Sequence, residues 1–348
     1  MNNAADKKFT TDELAHLAYV DAGAYAHSDP VNGMDKDIYF TDALQVVFHT
    51  VLRKYFKVSD GDFLKITRKD LEQFNLFSSK CTSSTTVTAE NLSAAALVIS
   101  LYAQLNECIR HAKQAGAAKM TSITIPEATL DVQKWQYKLL KNAQKRIDGR
   151  MSSFIRTCLI HGSFASKDYL EQWSDLDALI VLKDGVFKSE ATLASAKKEI
   201  LKLSPLFYQI DPLAHHQFIV LTELDLQYFP STFFPAVLFE HALLLAGDKQ
   251  LAIQVRDDSY DKIQFMHTYV HHIRARIADT ASALNAFQWK IDVGTMLNWP
   301  SLLLQAQNIY RYKRESFDLV RTFFPQFDFS ILDAVSVVRT KWRTVNIL

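Results

Sequence analysis

The chain has 348 residues with 48% hydrophobic content, enough to bury a large core and, by length, to hold two or three domains. Its 39 basic and 38 acidic residues leave a net charge of +1, which argues against a partner as long and anionic as extended nucleic acid. Three cysteines, Cys81, Cys108 and Cys158, are too few and too widely spaced for a disulfide framework or a zinc site. No secretory leader opens the chain and no apolar run reaches the length of a membrane span, so the expected location is cytoplasmic, with no membrane contact.

The first fifty residues are acidic, with Asp6, Asp12, Glu13, Asp21, Asp29, Asp35, Asp37 and Asp42. Thr10-Thr11-Asp12-Glu13 fits a capping box, and Thr88-Ala89-Glu90 opens a helix predicted over Leu92–Gln114 that closes at Gly116. The Ser- and Thr-rich stretch Ser79–Thr88 between them reads as a loop. Residues 1–125 are therefore expected to form a helical N-terminal domain. Pro126-Glu127 then starts a helix, amphipathic through Leu130, Trp135, Leu139, Leu140 and Ile147 and ended by Gly149.

The chemistry is concentrated in the middle of the chain. Phe154–His161 is an apolar, partly β-branched run that predicts a buried strand, and Gly162-Ser163 breaks it where a turn or helix should begin. Glycine permits close backbone approach, so the amides of Gly162, Ser163 and Phe164, with the Ser163 hydroxyl, form a nest suited to a phosphate. A second strand is predicted over Ser174–Leu182. Residues two apart on a strand share a face, so Asp175 and Asp177 point together while Leu176 and Ala178 enter the core. Two neighbouring carboxylates repel, and a hard cation with oxygen ligands, Mg²⁺ or Mn²⁺, relieves them. Taken singly, Gly162-Ser163 is an ordinary turn and Asp175 and Asp177 are solvated residues; it is their order and spacing that point to a site.

Downstream, Lys183-Asp184-Gly185 reads as a turn, Ser189–Leu203 as a helix, and Leu206–Ile210 and Gln217–Leu221 as strands, giving a small sheet with helices to one side. From Pro235 the pattern is mostly helical: Val237–Leu245 capped by Gly247, then Gln264–Ala283 and Leu302–Phe324. Arg311, Lys313, Arg314, Arg321, Arg339, Lys341 and Arg343 read first as solvated helix faces and second as a local basic wall for a triphosphate, and Trp289, Trp299, Tyr310, Tyr312 and Phe317 as core before base-stacking platforms. The predicted fold class is α+β: a small mixed catalytic sheet over residues 126–250, flanked by helical regions 1–125 and 251–348.

The run Leu159-Ile160-His161-Gly162-Ser163, followed after eleven residues by Asp175-Leu176-Asp177 and the apolar Ala178–Leu182, resembles the signature of the polymerase-beta-like nucleotidyltransferase superfamily. The resemblance implies an enzyme that moves a nucleoside monophosphate, AMP foremost, from a nucleoside triphosphate to an acceptor hydroxyl on a small molecule or protein. It implies that Asp175 and Asp177 hold Mg²⁺ or Mn²⁺, that Gly162 and Ser163 receive the triphosphate, and that Lys167 touches a phosphate. The superfamily usually places a third carboxylate at the start of a neighbouring strand. Here Gln217 stands at that point, with His216 or Asp211 as alternatives. The departure keeps a second class open, a degenerate nucleotidyltransferase module that binds nucleotide or a protein partner without transfer.

Overall fold

The structure, a computed structural model, describes residues 36–81, 86–115, 119–128, 134–214, 218–229, 239, 241–255, 285–306, 309, 311 and 313–342. The capping box at Thr10–Glu13, the acidic residues from Asp6 to Asp35, the helix expected over Gln264–Ala283, and Gly116, Leu130, His216, Gln217, Tyr310, Tyr312 and Arg343 lie outside them.

Helix α1 (Lys36–Lys57) is buried along its middle; every residue from 41 to 50 is inside, which an amphipathic surface helix cannot achieve. Around it stand α2 (Asp60–Ile66), started by Ser59, whose hydroxyl accepts from the Asp62 amide, α3 (Arg68–Cys81) and α4 (Ala94–Ala115). Helix α3 extends through Ser79, Lys80 and Cys81, shortening the loop expected over Ser79–Thr88. Its Asn75 holds the backbone beyond the loop, donating to the Val87 carbonyl at 2.7 Å and accepting from the Val87 amide at 2.9 Å.

Strand β1 (Lys119–Thr124) leads to Pro126 and Glu127, which are extended rather than helical. The Pro126 carbonyl accepts from the Leu244 amide and the Ala128 amide donates to the Leu244 carbonyl, so the backbone here is spent on strand pairing. Helix α5 (Trp135–Arg150) comes next, and it runs through Gly149. The central elements are β2 (Ile155–His161), the short α6 (Gly162–Ser166), β3 (Asp177–Leu182), a 3₁₀ turn (Asp184–Lys188), α7 (Glu190–Leu201), α8 (Ser204–Ile210), β4 (Phe218–Thr222), α9 (Glu223–Gln227), β5 (Leu243–Gly247) and β6 (Gln250–Val255).

Two more expectations, both about the sheet and the elements beside it, are corrected. The strand read over Leu206–Ile210 is helix α8, opened by Ser204-Pro205, where proline's fixed φ favours the first helical turn. Of the helix read over Val237–Leu245, residues 243–245 belong to β5, while residues 237, 238 and 240 lie outside the described residues. Its Gly247 is no helix cap: it sits at φ 86°, and a Cβ there would lie 2.3 Å from the Arg156 carbonyl oxygen on β2.

The main sheet has the order β4-β3-β2-β5, with β3–β4 parallel and the other pairs antiparallel. Strands β1 and β6 form a separate antiparallel ribbon. Alternation divides the sheet faces. Cys158, Ile160, Ala178, Ile180, Leu182, Phe218 and Val220 join one hydrophobic cluster with α1, α4, α5 and α7. Leu159, Leu179, Val181 and Leu221 join another with Ile125, Leu251 and Ile253 of the ribbon side. The front helices and the sheet thus share a core.

A buried polar knot fastens α1 to the sheet. Asp225 of α9 accepts from Gln45 and His49 of α1, each at 2.8 Å, and from the Thr222 amide and hydroxyl at 2.6 and 2.7 Å. At the C-terminal end, α10 (Ala286–Ala306), α11 (Lys313–Phe323) and α12 (Ser330–Lys341) replace the single helix expected over Leu302–Phe324. Helices α10 and α12 cover Trp173 and Leu213 with Val293, Leu297, Val335 and Trp342. No helix among the described residues is long and apolar enough to cross a membrane. The fold is α+β, a small mixed sheet with flanking helices.

Candidate nucleotide site

The site forms where β2 ends and β3 begins. His161, the last residue of β2, pairs in register with Asp177, the first of β3, so their side chains leave the sheet on one face. Gly162 comes next at φ 66°, a left-handed value that glycine adopts without strain. A Cβ at Gly162 would fall 2.1 Å from Asp177 Oδ2. The missing side chain is therefore what lets the carboxylate lie against the backbone turn.

The turn continues into α6, whose Ser166 hydroxyl donates back to the Gly162 carbonyl at 3.1 Å. Phe164 anchors it from beneath, buried and edge-on to Tyr137 of α5 at 6.1 Å, with Tyr169 4.6 Å away. Ser163 is half-buried beside it. Lys167 closes α6 in the left-handed conformation at φ 63° with its side chain exposed.

On the β3 side burial alternates. Ser174, Leu176 and Ala178 are buried and Asp175 and Asp177 half-buried, but β3 starts only at Asp177, so the strand expected over Ser174–Leu182 is shorter and Asp175 lies on the segment that enters it. His161 is nearly inaccessible, and burial pushes its imidazole down to about 4 although the Asp175 charge pulls the other way. At neutral pH it is uncharged and adds no cation to the pair of carboxylates. The sequence motif includes His161 without giving it a role; its place opposite Asp177 comes from strand register.

The third-acid candidates divide. Gln217 and His216 lie outside the described residues. Asp211 is fully buried after α8 and forms an ion pair with Lys290 of α10. Burial raises the Asp211 carboxyl, with Lys290 and the Leu213 amide opposing and the Asp175 charge adding to the rise. Among the described residues, no three His, Cys, Asp or Glu side chains converge as a metal-ligand group.

The family model described as "Nucleotidyltransferase domain" matches residues 138–221, from α5 through β4. This segment is similar to nucleotidyltransferase domains. No curated protein and no solved structure matches the chain. The match spans the Gly162 turn, both aspartates and β4 as far as Leu221, the strand that extends the sheet beyond them.

Proposed function

We propose that the protein is a metal-dependent nucleotidyltransferase that moves a nucleoside monophosphate, AMP foremost, to an acceptor hydroxyl on a small molecule or a protein. The observation that carries this reading is the approach of Asp177 to Gly162, which puts a carboxylate against the turn suited to phosphate. Asp175 and Asp177 are the ligands for Mg²⁺ or Mn²⁺: two half-buried carboxylates offer the hard oxygen donors these ions take, with the remaining positions left to phosphate oxygens and water. Bound there, the ion would neutralise triphosphate charge and lower the pKa of the acceptor hydroxyl.

The chain's own groups orient the reactants. The Gly162-Ser163 turn receives the phosphates through its amides and the Ser163 hydroxyl, and Lys167 reaches a phosphate oxygen from the end of α6. The acceptor oxygen forms a bond to the α-phosphorus, the bond to the β-phosphate oxygen breaks, and pyrophosphate leaves. The hydroxyl proton passes to solvent. We assign residues 126–250 as the catalytic unit, bounded on both sides by the β1–β6 ribbon, with helical regions 1–125 and 251–348 flanking it. A net charge of +1 favours a compact acceptor over long nucleic acid, and the three free cysteines favour the cytoplasm.

Screening the four nucleoside triphosphates for pyrophosphate release with Mg²⁺, Mn²⁺ or chelator tests the proposal. Release should require metal and fall at least about a hundredfold, roughly 3 kcal/mol of barrier, in Asp177→Asn. Release that survives chelation and the substitution overturns the metal role. Metal-dependent binding with no release for any triphosphate returns the binding module.

A further inference from the structure

The segment that delivers Asp175 is not held by the nucleotidyltransferase sheet alone. Between α6 and β3 the chain makes two left-handed residues without glycine, Lys167 at φ 63° and Gln172 at φ 68°. Such residues cost energy that surrounding contacts must overcome. Within the loop, the Leu170 carbonyl accepts from the Trp173 and Ser174 amides, and the Leu170 amide donates to the Ser174 hydroxyl at 2.9 Å. From outside, the contacts come from the C-terminal helices. Trp173 packs edge-on against Trp342 with ring centroids 5.2 Å apart, and Arg339 of α12 lies 3.8 Å from Asp168.

Lys290 of α10 joins these contacts to a charge. It is 4% exposed, its ammonium lies 5.9 Å from the centre of the Trp173 ring, and it is ion-paired with Asp211, which is 0% exposed. Asp211 in turn accepts from the Leu213 amide at 3.1 Å, fixing the chain as it leaves α8. A buried ion pair is a poor source of net stability compared with apolar packing, whereas its directional geometry fixes the groups it joins. Trp173 stands two residues before Asp175, so a fixed Trp173 fixes the approach of Asp175 to β3.

We propose that Lys290 is a positioning residue for Asp175, acting through Asp211 and Trp173, and that α10 and α12 are thereby part of the nucleotide site. The inference rests on the reading that Asp175 and Asp177 bind the divalent ion. Coupling of this kind is reciprocal: what holds Asp175 for the ion is itself held by the bound ion.

Two measurements on the full chain test it, with Mn²⁺ alone as the probe. Hydrogen exchange of the wild type should slow on Mn²⁺ binding both at residues 168–176 and in α10 around Lys290; protection confined to β2 and β3 overturns the proposal. Electron paramagnetic resonance should then show Mn²⁺ affinity at least fivefold weaker in Lys290→Met/Asp211→Asn, in which no buried charge is left unpaired, at an unchanged melting temperature. A double variant that melts and binds Mn²⁺ like the wild type reduces Lys290 to a structural part and overturns the proposal while leaving the metal site intact. If that variant does not fold, the exchange experiment decides alone. Failure of the wild type to bind Mn²⁺ removes the reading of Asp175 and Asp177, and this inference with it.

Discussion

Glycine at two positions does opposite kinds of work, and substitution separates them. Gly162→Ala places a methyl group in the space of the Asp177 carboxylate and demands a left-handed alanine, costing about 1–2 kcal/mol in backbone conformation alone. The fold should survive, because a side chain can swing away, while metal-dependent triphosphate affinity should fall at least tenfold by calorimetry. Gly247→Ala meets backbone instead, so its cost of about 3 kcal/mol or more should appear as a lowered melting temperature with nucleotide affinity unchanged in the folded fraction. Ser163→Ala removes a single hydroxyl and should weaken triphosphate binding by about 1 kcal/mol in an otherwise unaltered protein. That Gly162 breaks one strand and that a second strand carries Asp177 was legible from local spacing, whereas the β2–β3 register that brings the two together was not. The pairing of Asp211 with Lys290 was not, since 79 residues separate them and no periodicity links a residue after one helix to the flank of another.

Among elements, β5 shows where a one-dimensional pattern runs out. A short apolar run fits a buried strand or a buried helix equally well, and Gly247 behind it imitates a helix cap. What decides is the open edge of β2, whose backbone groups β5 satisfies from some ninety residues away. By contrast, β4 was legible from its β-branched core, Phe218-Ile219-Val220-Leu221, and its position beside β3 followed from the family resemblance rather than from any pattern in the residues. The knot around Asp225 makes a sharper test at this scale. Burial by itself would raise the Asp225 carboxyl, but the His49 charge and the hydrogen bonds from His49 and Thr222 outweigh it and hold the group below the ordinary carboxylate range. The stability it contributes is therefore fully present above about pH 4 and is lost as pH falls through the lowered folded value. Asp225→Ala should cost about 3–5 kcal/mol in denaturant unfolding, because it removes the buried acceptor of His49 and of the Thr222 amide and hydroxyl and leaves Gln45 only the Tyr228 carbonyl. Asp225→Asn should flatten the acid limb of the stability curve; an unaltered limb would show that other carboxylates govern acid unfolding.

At the scale of the molecule, the three cysteines report on the core at different depths. Cys81 is half-buried at the end of α3, while Cys108 and Cys158 are fully buried in the cluster shared by the front helices and the sheet. Burial also pushes the Cys158 thiol well above its ordinary range, so it holds little of the reactive thiolate. Native protein should consume one equivalent of a thiol reagent quickly, at Cys81, and the other two only on unfolding. Rapid modification of all three without loss of helical signal would mean that the front helices separate readily from the sheet.

The knot at Asp225 also sets an order in time. Helix α1 leaves the ribosome before its partners, for the Asp225 carboxylate and the Tyr228 carbonyl that receive its Gln45 amide lie 180 and 183 residues later. At the usual pace of synthesis, about 5–20 residues per second, α1 waits roughly 10–40 seconds with Gln45 and His49 lacking their final acceptor. Early in that interval its apolar circumference has α2, α3 and α4 to pack against, and until β2, β3 and α7 follow, the nascent chain presents to chaperones the surface that they and the finished sheet will cover.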